Sequence, residues 1–135
     1  MANDGPLLLS KYPAHLGLGA TTVPQPEFTR DMSWYMEYGT RHAGDGVEGR
    51  LLSMHTFDAS WDSWEVHPRG SEVVLVTAGT LRLHQERDGT VTTLDLGPGE
   101  YAINEPGVWH TADVVDGPAT AVFITSGIGT EVRPR

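Results

Sequence analysis

The sequence predicts an all-β domain, an antiparallel sandwich or barrel, and three observations support this prediction. Short runs rich in β-branched and aromatic residues recur from residue 32 onward, with turn signals between them. No stretch of ten or more residues has a convincing helical period. Sixteen glycines and nine prolines are spread through the 135 residues, which is typical of many turns between short strands. This pattern favours an antiparallel structure over βαβ units.

The predicted strands follow one another closely, beginning with an aromatic run, Trp34–Tyr38. They cover residues 34–38, 47–57, 64–67, 72–77, 80–85, 91–96, 101–104, 108–115 and 119–125. Leu81 and Leu83 alternate with polar residues, which is the period of a half-buried strand. The Asp88-Gly89 pair that follows is a strong signal for a hairpin turn.

The length suits one domain, which we divide into three segments. Residues 1–31 contain four prolines and no sustained apolar period, so we expect an arm that lies over the domain or is partly disordered. Residues 32–128 are the predicted barrel. Residues 129–135 are expected to be a C-terminal tail.

Composition excludes several classes of function. The chain has no cysteine, so any metal must be bound by histidine, carboxylate or water. A net charge of −9 disfavours nucleic acid and anionic membranes as partners. The first residues lack the basic and apolar regions of a signal peptide, and we therefore expect a cytoplasmic protein.

The residues with the clearest chemistry are Glu65, His67, Glu72 and His110. Glu65 and His67 are two apart on a predicted strand, so they share one face. Glu72 shares a face with two valines of the next strand, and His110 follows the turn at Pro106-Gly107. Buried imidazole and carboxylate groups are costly unless they are paired or coordinate a metal. Two histidines and one or two carboxylates are thus predicted to converge inside the barrel.

The spacing of these residues resembles the two motifs of the cupin superfamily. Glu65-x-His67-x4-Glu72-x6-Gly79 is similar to the first motif, with Glu65 where the family has its first histidine. The segment from Gly99 to Val114 is similar to the second motif, although its proline is displaced by one position and Val114 replaces the final asparagine. The resemblance implies a cupin-type jelly-roll barrel, the double-stranded β-helix. It extends over roughly residues 32–126.

The resemblance also implies a mononuclear metal ion in the barrel, commonly iron, manganese, nickel, zinc or copper. His67, Glu72 and His110 form a set of two histidines and one carboxylate, which suits ferrous iron with open positions. Glu65 is either a fourth ligand or the partner of Arg69 or Arg82 in an ion pair near the rim.

Other side chains are secondary candidates. His55, on the strand over residues 51–57, is a candidate acid–base group of the cavity, although a lone histidine on such a strand is more often structural. Trp61, Trp64 and Trp109 flank the ligand segments, and alternation places Trp64 and Trp109 on the outer face. We expect His15, His42 and His84 to be solvated.

Two classes of function remain open. The first is an enzyme that acts on a small organic molecule, with a dioxygenase as the natural choice for this ligand set and a metal-dependent isomerase or lyase as the second. The other is a non-catalytic barrel that binds a small ligand. The resemblance further implies a homodimer, for which the arm before Met32 and the segment Trp34–Tyr38 are suited to cover exposed sheet edges.

Overall fold

The computed structural model describes residues 5–135, which form nine strands and one α-helix. The helix, α1, spans Met32–Arg41, and two short 3-10 helices span Leu18–Ala20 and Ala43–Glu48. The strands are β1 (Ala14–Gly17), β2 (Thr21–Pro24), β3 (Arg50–Phe57), β4 (Ser63–Val66), β5 (Glu72–Arg87), β6 (Thr90–Leu96), β7 (Tyr101–Asn104), β8 (Trp109–Thr125) and β9 (Glu131–Pro134).

Strands β5 and β8 are long enough to take part in both halves of the structure. The first half of β5 pairs with β7 and with the end of β8, from which the sheet continues through β3 to β1 and β2. The second half of β5 pairs with β6 and with the start of β8, whose other neighbour, β4, pairs with β9. All these pairs are antiparallel. Two curved faces thus enclose one interior, and the predicted all-β jelly-roll class is confirmed.

The bend of β5 depends on Gly79. The register between β5 and β8 shifts between Val76 and Leu81, and Gly79 has a φ of +69° within this stretch. A Cβ atom here would lie 2.5 Å from the carbonyl oxygen of Asp116 and 2.6 Å from that of Pro118. Only glycine combines this φ with so close an approach of two backbones.

The core lies between the two halves of the barrel and comes from the inward faces of β5, β6, β7 and β8. Alternation along β5 buries Val74 and Val76 before the bend and Leu81 and Leu83 after it, because the register shift restores the inward direction. The complete buried cluster is Val74, Val76, Leu81, Leu83, Leu96, Ala102, Ala112, Ala119, Ala121 and Phe123. This core holds the strand ends that carry the candidate site.

The predicted strand over Trp34–Tyr38 is wrong, because this segment belongs to helix α1. Asp31 caps the helix, and its side chain accepts a hydrogen bond of 3.0 Å from the backbone N–H of Trp34. Trp34 and Tyr38 are four residues apart and their rings stack on one helix face, with centroids 5.8 Å apart. The aromatic residues that favoured a strand by composition therefore pack at helical spacing.

Both ends of the chain carry strands that the sequence did not reveal. The segment 5–31 contains β1 and β2, and β1 continues the barrel sheet by pairing with β3. The segment expected to be a tail contains β9, which pairs with β4 from Ser63 to Val66. Residues 1–4 of the expected arm lie outside the described part. No helix within residues 5–135 has the length and apolar character to cross a bilayer.

Candidate metal centre

Four predicted residues are brought together by strands at one end of the barrel. Glu65 is on β4, His67 follows that strand directly, Glu72 begins β5 and His110 is the second residue of β8. Glu65 and His110 are direct partners in the antiparallel pairing of β4 with β8. Residues far apart in sequence therefore meet because their strands are neighbours.

The two imidazoles face the same carboxylate. His67 Nε2 lies 3.2 Å from Glu72 Oε2, and His110 Nε2 lies 3.2 Å from Glu72 Oε1. All three side chains are buried, with exposed fractions of 7% or less. Neither Nε2 atom makes a hydrogen bond of good geometry. Two buried polar atoms without aligned partners are unusual, since nearly all buried polar groups in proteins are hydrogen-bonded.

The hydrogen bond made by Nδ1 of each imidazole fixes which ring nitrogen carries the proton. His110 Nδ1 lies 3.2 Å from the carbonyl oxygen of Val108, which only accepts, so this nitrogen donates. His67 Nδ1 lies 2.8 Å from Thr130 Oγ1, whose own hydroxyl proton goes to the carbonyl oxygen of Gly127. His67 Nδ1 therefore also donates. In both neutral rings Nε2 carries a lone pair and points it towards Glu72.

Glu72 is held by a polar network that orients its carboxylate. Its Oε1 accepts a hydrogen bond of 3.0 Å from Asn104 Nδ2, and its Oε2 accepts one of 2.6 Å from Thr125 Oγ1. Asn104 in turn accepts from Gln85 Nε2 at 2.8 Å. Sequence reasoning missed Asn104, Thr125 and Thr130. The first two lie directly across from Glu72 in the strand register, which no local motif reveals.

The carboxylates and imidazoles of the site shift one another's pKa values. Burial alone would raise the pKa of Glu72, but its contacts with His110 and His67 outweigh burial and hold that pKa well below its ordinary range. Burial alone would lower the pKa of His110, and Glu72 raises it instead. The pKa of Glu65 is raised by burial and by the charge of Glu72.

Glu65 lies with the histidines and not at the rim. One ligand atom each from Glu65, His67 and His110 lies within 4.8 Å of the others. Arg82 pairs instead with Asp95, at 2.8 Å, and within residues 5–135 neither Arg69 nor Arg82 forms an ion pair with Glu65. The alternative that placed Glu65 in a rim ion pair is therefore wrong.

The sequence matches no protein-family model and no curated protein. Solved structures share its architecture. An oxalate oxidase aligns with 17% identity and a TM-score of 0.56 over 70% of this chain and 50% of its own. KdgF from Halomonas sp. aligns with 16% identity and a TM-score of 0.50, over 58% of this chain and 69% of its own. The coconut allergen cocosin aligns with 15% identity and a TM-score of 0.51, over 64% of this chain and 23% of its own.

This chain has the cupin fold. It spans about half the length of the oxalate oxidase that it resembles. Identities below 25% establish the architecture alone, because one fold supports many functions. The function of this chain must therefore be argued from its own side chains.

A cavity of about 840 Å³ opens from the cupin barrel beside the candidate centre. One face of β3 forms part of its wall through alternate residues, Leu51, Ser53, His55 and Phe57. Helix α1 lies across it and contributes Tyr35. Burial raises the pKa of Tyr35 to about 12. The cavity is thus large enough for a small organic molecule.

The structure places the secondary candidates, His55 and three tryptophans, partly on the cavity wall and partly on the outer surface. His55 lies on the cavity wall, where burial lowers its pKa. Trp64 and Trp109 face away from the interior as predicted, with the Arg133 guanidinium 5.2 and 4.5 Å from their ring centroids. Trp61 instead packs against Phe57 and lines the cavity.

The expectation that three further histidines are solvated is wrong for His15, which is buried, while His42 and His84 are half-buried. His15 is only 2% exposed. His84 has a side chain 18% exposed and lies 2.7 Å from Asp113 Oδ2. His42 is half-buried and stacks on His15 with ring centroids 3.8 Å apart. His15 is buried because β1 pairs with β3 and so belongs to the barrel sheet.

Proposed function

We propose that this cupin is a metal-dependent enzyme that acts on a small organic molecule inside the barrel. The observation that carries the proposal is the pair of Nε2 atoms, on His67 and His110, that face Glu72 at 3.2 Å without hydrogen bonds. Lone pairs aimed at a carboxylate repel it unless the rings are protonated or a cation lies between them. A divalent ion removes this conflict and uses all three groups as ligands.

The donor set fits such an ion. Imidazole nitrogen and carboxylate oxygen together suit iron, manganese, zinc or nickel. The hydrogen bonds from the two Nδ1 atoms to Thr130 and to the Val108 carbonyl are the kind of outer contact that orients metal-binding histidines. Asn104 and Thr125 serve Glu72 in the same way. Glu65 is our proposed fourth ligand.

When bound, such an ion supplies Lewis acidity and, if it is redox-active, the ability to react with dioxygen. The protein supplies the rest. Glu72 and the two histidines fix the ion's position, and the aromatic wall of the cavity excludes water and packs on an apolar or cyclic molecule. Among the possible reactions we favour a dioxygenase, because two histidines and one carboxylate leave positions open for oxygen and substrate.

The similar structures support an enzyme only in part. One of them is named as an oxalate oxidase and another as a plant allergen. The second candidate function, a barrel that binds a small ligand without converting it, is favoured by Glu65, which stands where the cupin motif has a histidine. The cytoplasmic location expected from the sequence stays a prediction.

Metal analysis tests the proposal directly. Protein purified without a metal-binding tag is expected to hold one divalent ion per chain, and His67→Ala or His110→Ala should remove most of it. His84→Ala is the matched control, since His84 pairs with Asp113 away from the centre. Full metal content in both site variants would show that the centre is wrongly assigned.

Oxygen dependence separates the reactions. Activity of the metal-loaded protein that is lost under strict anaerobiosis and restored by air supports a dioxygenase. Activity that survives without oxygen supports an isomerase or lyase. A stoichiometric metal content with no turnover of any small carboxylic or phenolic substrate supports the binding barrel.

A further inference from the structure

A second polar cluster, centred on the buried His15, lies on the wall of the same cavity, away from the candidate metal centre. His15 Nε2 lies 2.6 Å from Asp45 Oδ2, and His15 Nδ1 lies 2.7 Å from the hydroxyl oxygen of Tyr38. The three residues come from β1, from the 3-10 helix after α1, and from α1 itself. Both His15 and Tyr38 line the cavity. A phenol, an imidazole and a carboxylate are thus connected in series.

The contacts fix where the protons lie. An ionised carboxylate only accepts hydrogen bonds, so His15 Nε2 carries a proton for Asp45. In the neutral ring Nδ1 then accepts the hydroxyl proton of Tyr38. If His15 gains a proton, Nδ1 donates to the Tyr38 oxygen and the imidazolium faces Asp45. Both states satisfy the same two contacts, which is what a proton relay requires.

The surroundings favour a relay over a metal site. His15, His42 and Asp45 are close enough to be considered as metal ligands. However, His42 Nε2 accepts a hydrogen bond of 2.9 Å from Gln25 Nε2, and the Gln25 oxygen accepts from Arg41, which fixes the amide orientation. Burial and the neighbouring His15 lower the pKa of His42. The His42 Nε2 atom and both polar ends of the Gln25 amide therefore already have partners.

Two glycines make room for the cluster. A Cβ atom at Gly49 would lie 2.9 Å from His15 Cε1, and one at Gly17 would lie 2.7 Å from Asp45 Oδ2. Any other residue at either position would push the imidazole or the carboxylate from its place. The close contact between His15 and Asp45 therefore depends on the backbone on both sides.

The strand register places the relay at the same level of the barrel as Glu72. His15 pairs with Leu51, Leu51 with Thr125, and Thr125 with Glu72. Three strand spacings separate His15 from Glu72, about 14 Å along the sheet. Phe57, Phe123 and Trp61 line the same cavity and pack against one another. A ligand that reaches from the relay towards Glu72 would contact these aromatic side chains.

We propose that Tyr38, His15 and Asp45 form a proton relay that binds and ionises a hydroxyl group on an aromatic ligand, that is, a phenol. The ligand O–H bond breaks and its proton passes to the Tyr38 oxygen. The Tyr38 proton passes to His15 Nδ1, and the imidazolium pairs with Asp45. No electrons are transferred. Within residues 5–135 the Tyr38 hydroxyl has no other hydrogen-bond partner, which leaves it available to the ligand.

This inference rests on the proposed function in one respect only, namely that the bound phenol is later converted at the metal centre. Binding and ionisation at the relay need no ion, so the two ideas can fail separately. The probe is 4-nitrophenol, whose phenolate absorbs visible light while the phenol does not. Its methyl ether, 4-nitroanisole, is the matched probe that has no proton to give.

The experiment measures visible absorbance as the full-length protein is added to 4-nitrophenol at a pH where the free probe is mostly protonated. Wild-type protein is expected to bind the probe and increase the phenolate signal. Tyr38→Phe should abolish that increase and weaken binding about tenfold, the effect of one lost hydrogen bond. Binding of 4-nitroanisole should be unchanged in this variant. Tyr12→Phe, outside this cavity, is the control for the substitution.

Further variants make the result decisive. Asp45→Asn should reduce the phenolate signal while retaining the Tyr38 ring, which keeps the test valid if Tyr38→Phe folds poorly. The signal should persist in His110→Ala and after treatment with a chelator. A signal retained in folded Tyr38→Phe, or lost in His110→Ala, would overturn the relay, as would wild-type protein that does not bind 4-nitrophenol.

Discussion

At the scale of single residues, the candidate centre depends on contacts behind the ligands as much as on the ligands. Thr130 Oγ1 accepts a hydrogen bond from His67 Nδ1 and donates one to the carbonyl oxygen of Gly127. This chain of two hydrogen bonds decides which nitrogen of His67 faces Glu72. The ligand is therefore positioned by a residue far along the chain.

Thr130→Val is expected to weaken metal binding by about tenfold or more, the usual effect of losing such a partner. The valine keeps the shape of the side chain but leaves His67 Nδ1 without an acceptor. Competition with a chromophoric chelator measures the affinity. Thr130→Ser keeps the hydroxyl and should bind like the wild type. Equal affinities in the valine and serine variants would argue against the orienting role.

Glu65 offers a second test at this scale. Since its carboxylate lies with His67 and His110, Glu65→Gln is expected to lower metal affinity by removing a charged ligand. Glu65→His restores the cupin motif and should change the affinity and shift the preference between metals. The same chelator competition, made with iron and zinc, provides the measurement. Unchanged affinity in both variants would place Glu65 outside the ligand set.

At the scale of elements, β9 supports the strand that carries Glu65. It pairs with β4, and Arg133 inserts its guanidinium between Trp64 and Trp109. Arg135 Nη1, just beyond the strand, lies 2.7 Å from Asp113 Oδ1. The end of the chain is therefore held to β8 by charge and to β4 by backbone pairing.

Asp113→Asn should change how the free energy of unfolding depends on pH. Hydrogen bonds from Arg135 and His84 lower the pKa of Asp113 below the ordinary 3.8. A carboxyl group with a lowered pKa stabilises the fold fully above its ordinary pKa, and this contribution is lost as the pH falls below it. In denaturant unfolding, the wild type should therefore lose more stability than Asp113→Asn as the pH is lowered from about 5 to 3.

Asp58→Asn, which removes the same charge from an exposed bend, is the control for the acid series and should follow the wild type. If the wild type and Asp113→Asn lose stability in parallel over this pH range, the ion pairs around Asp113 do not contribute.

At the scale of the whole molecule, the outer face of the sheet formed by β7, β5, β8 and β3 is apolar. Two cross-strand rows carry the side chains Ile103, Val73, Ile124 and Leu52, then Tyr101, Leu75, Val122 and Met54. All are half-buried or exposed, and none is charged. Because each copy carries a net charge of −9, two copies approach most favourably through this uncharged face.

The homodimer expected from the sequence should therefore use this face and not the segment Trp34–Tyr38. Ile103→Lys, at a position 42% exposed, is expected to convert a micromolar dimer into monomers, as measured by light scattering. Val91→Lys, 48% exposed on β6, is the matched control and should stay dimeric. A wild type that is monomeric at micromolar concentration would contradict the prediction.

Deletion of residues 1–30 would not by itself test whether the arm before Met32 contributes to a dimer. The deletion would remove β1, which pairs with β3, and His15, which is buried beside Asp45. Loss of the dimer in that variant would then reflect damage to the barrel.

The sequence by itself determined the all-β class and the meeting of His67, Glu72 and His110. Alternation along a strand fixes which side chains face inward, and the resemblance of the two motifs to those of the cupin superfamily implies that they meet at one site in the barrel. These signals are local and periodic, so they can be read without coordinates.

Only the tertiary structure decided the rest. Helix α1 forms because Asp31 caps it and Trp34 and Tyr38 find partners on one face, although their composition favours a strand. Thr130 and Asp45 are placed beside His67 and His15 by loops and short helical turns whose course no periodic pattern encodes. Contacts between residues distant in sequence depend on strand order and register, and these are set by the packing of the whole chain.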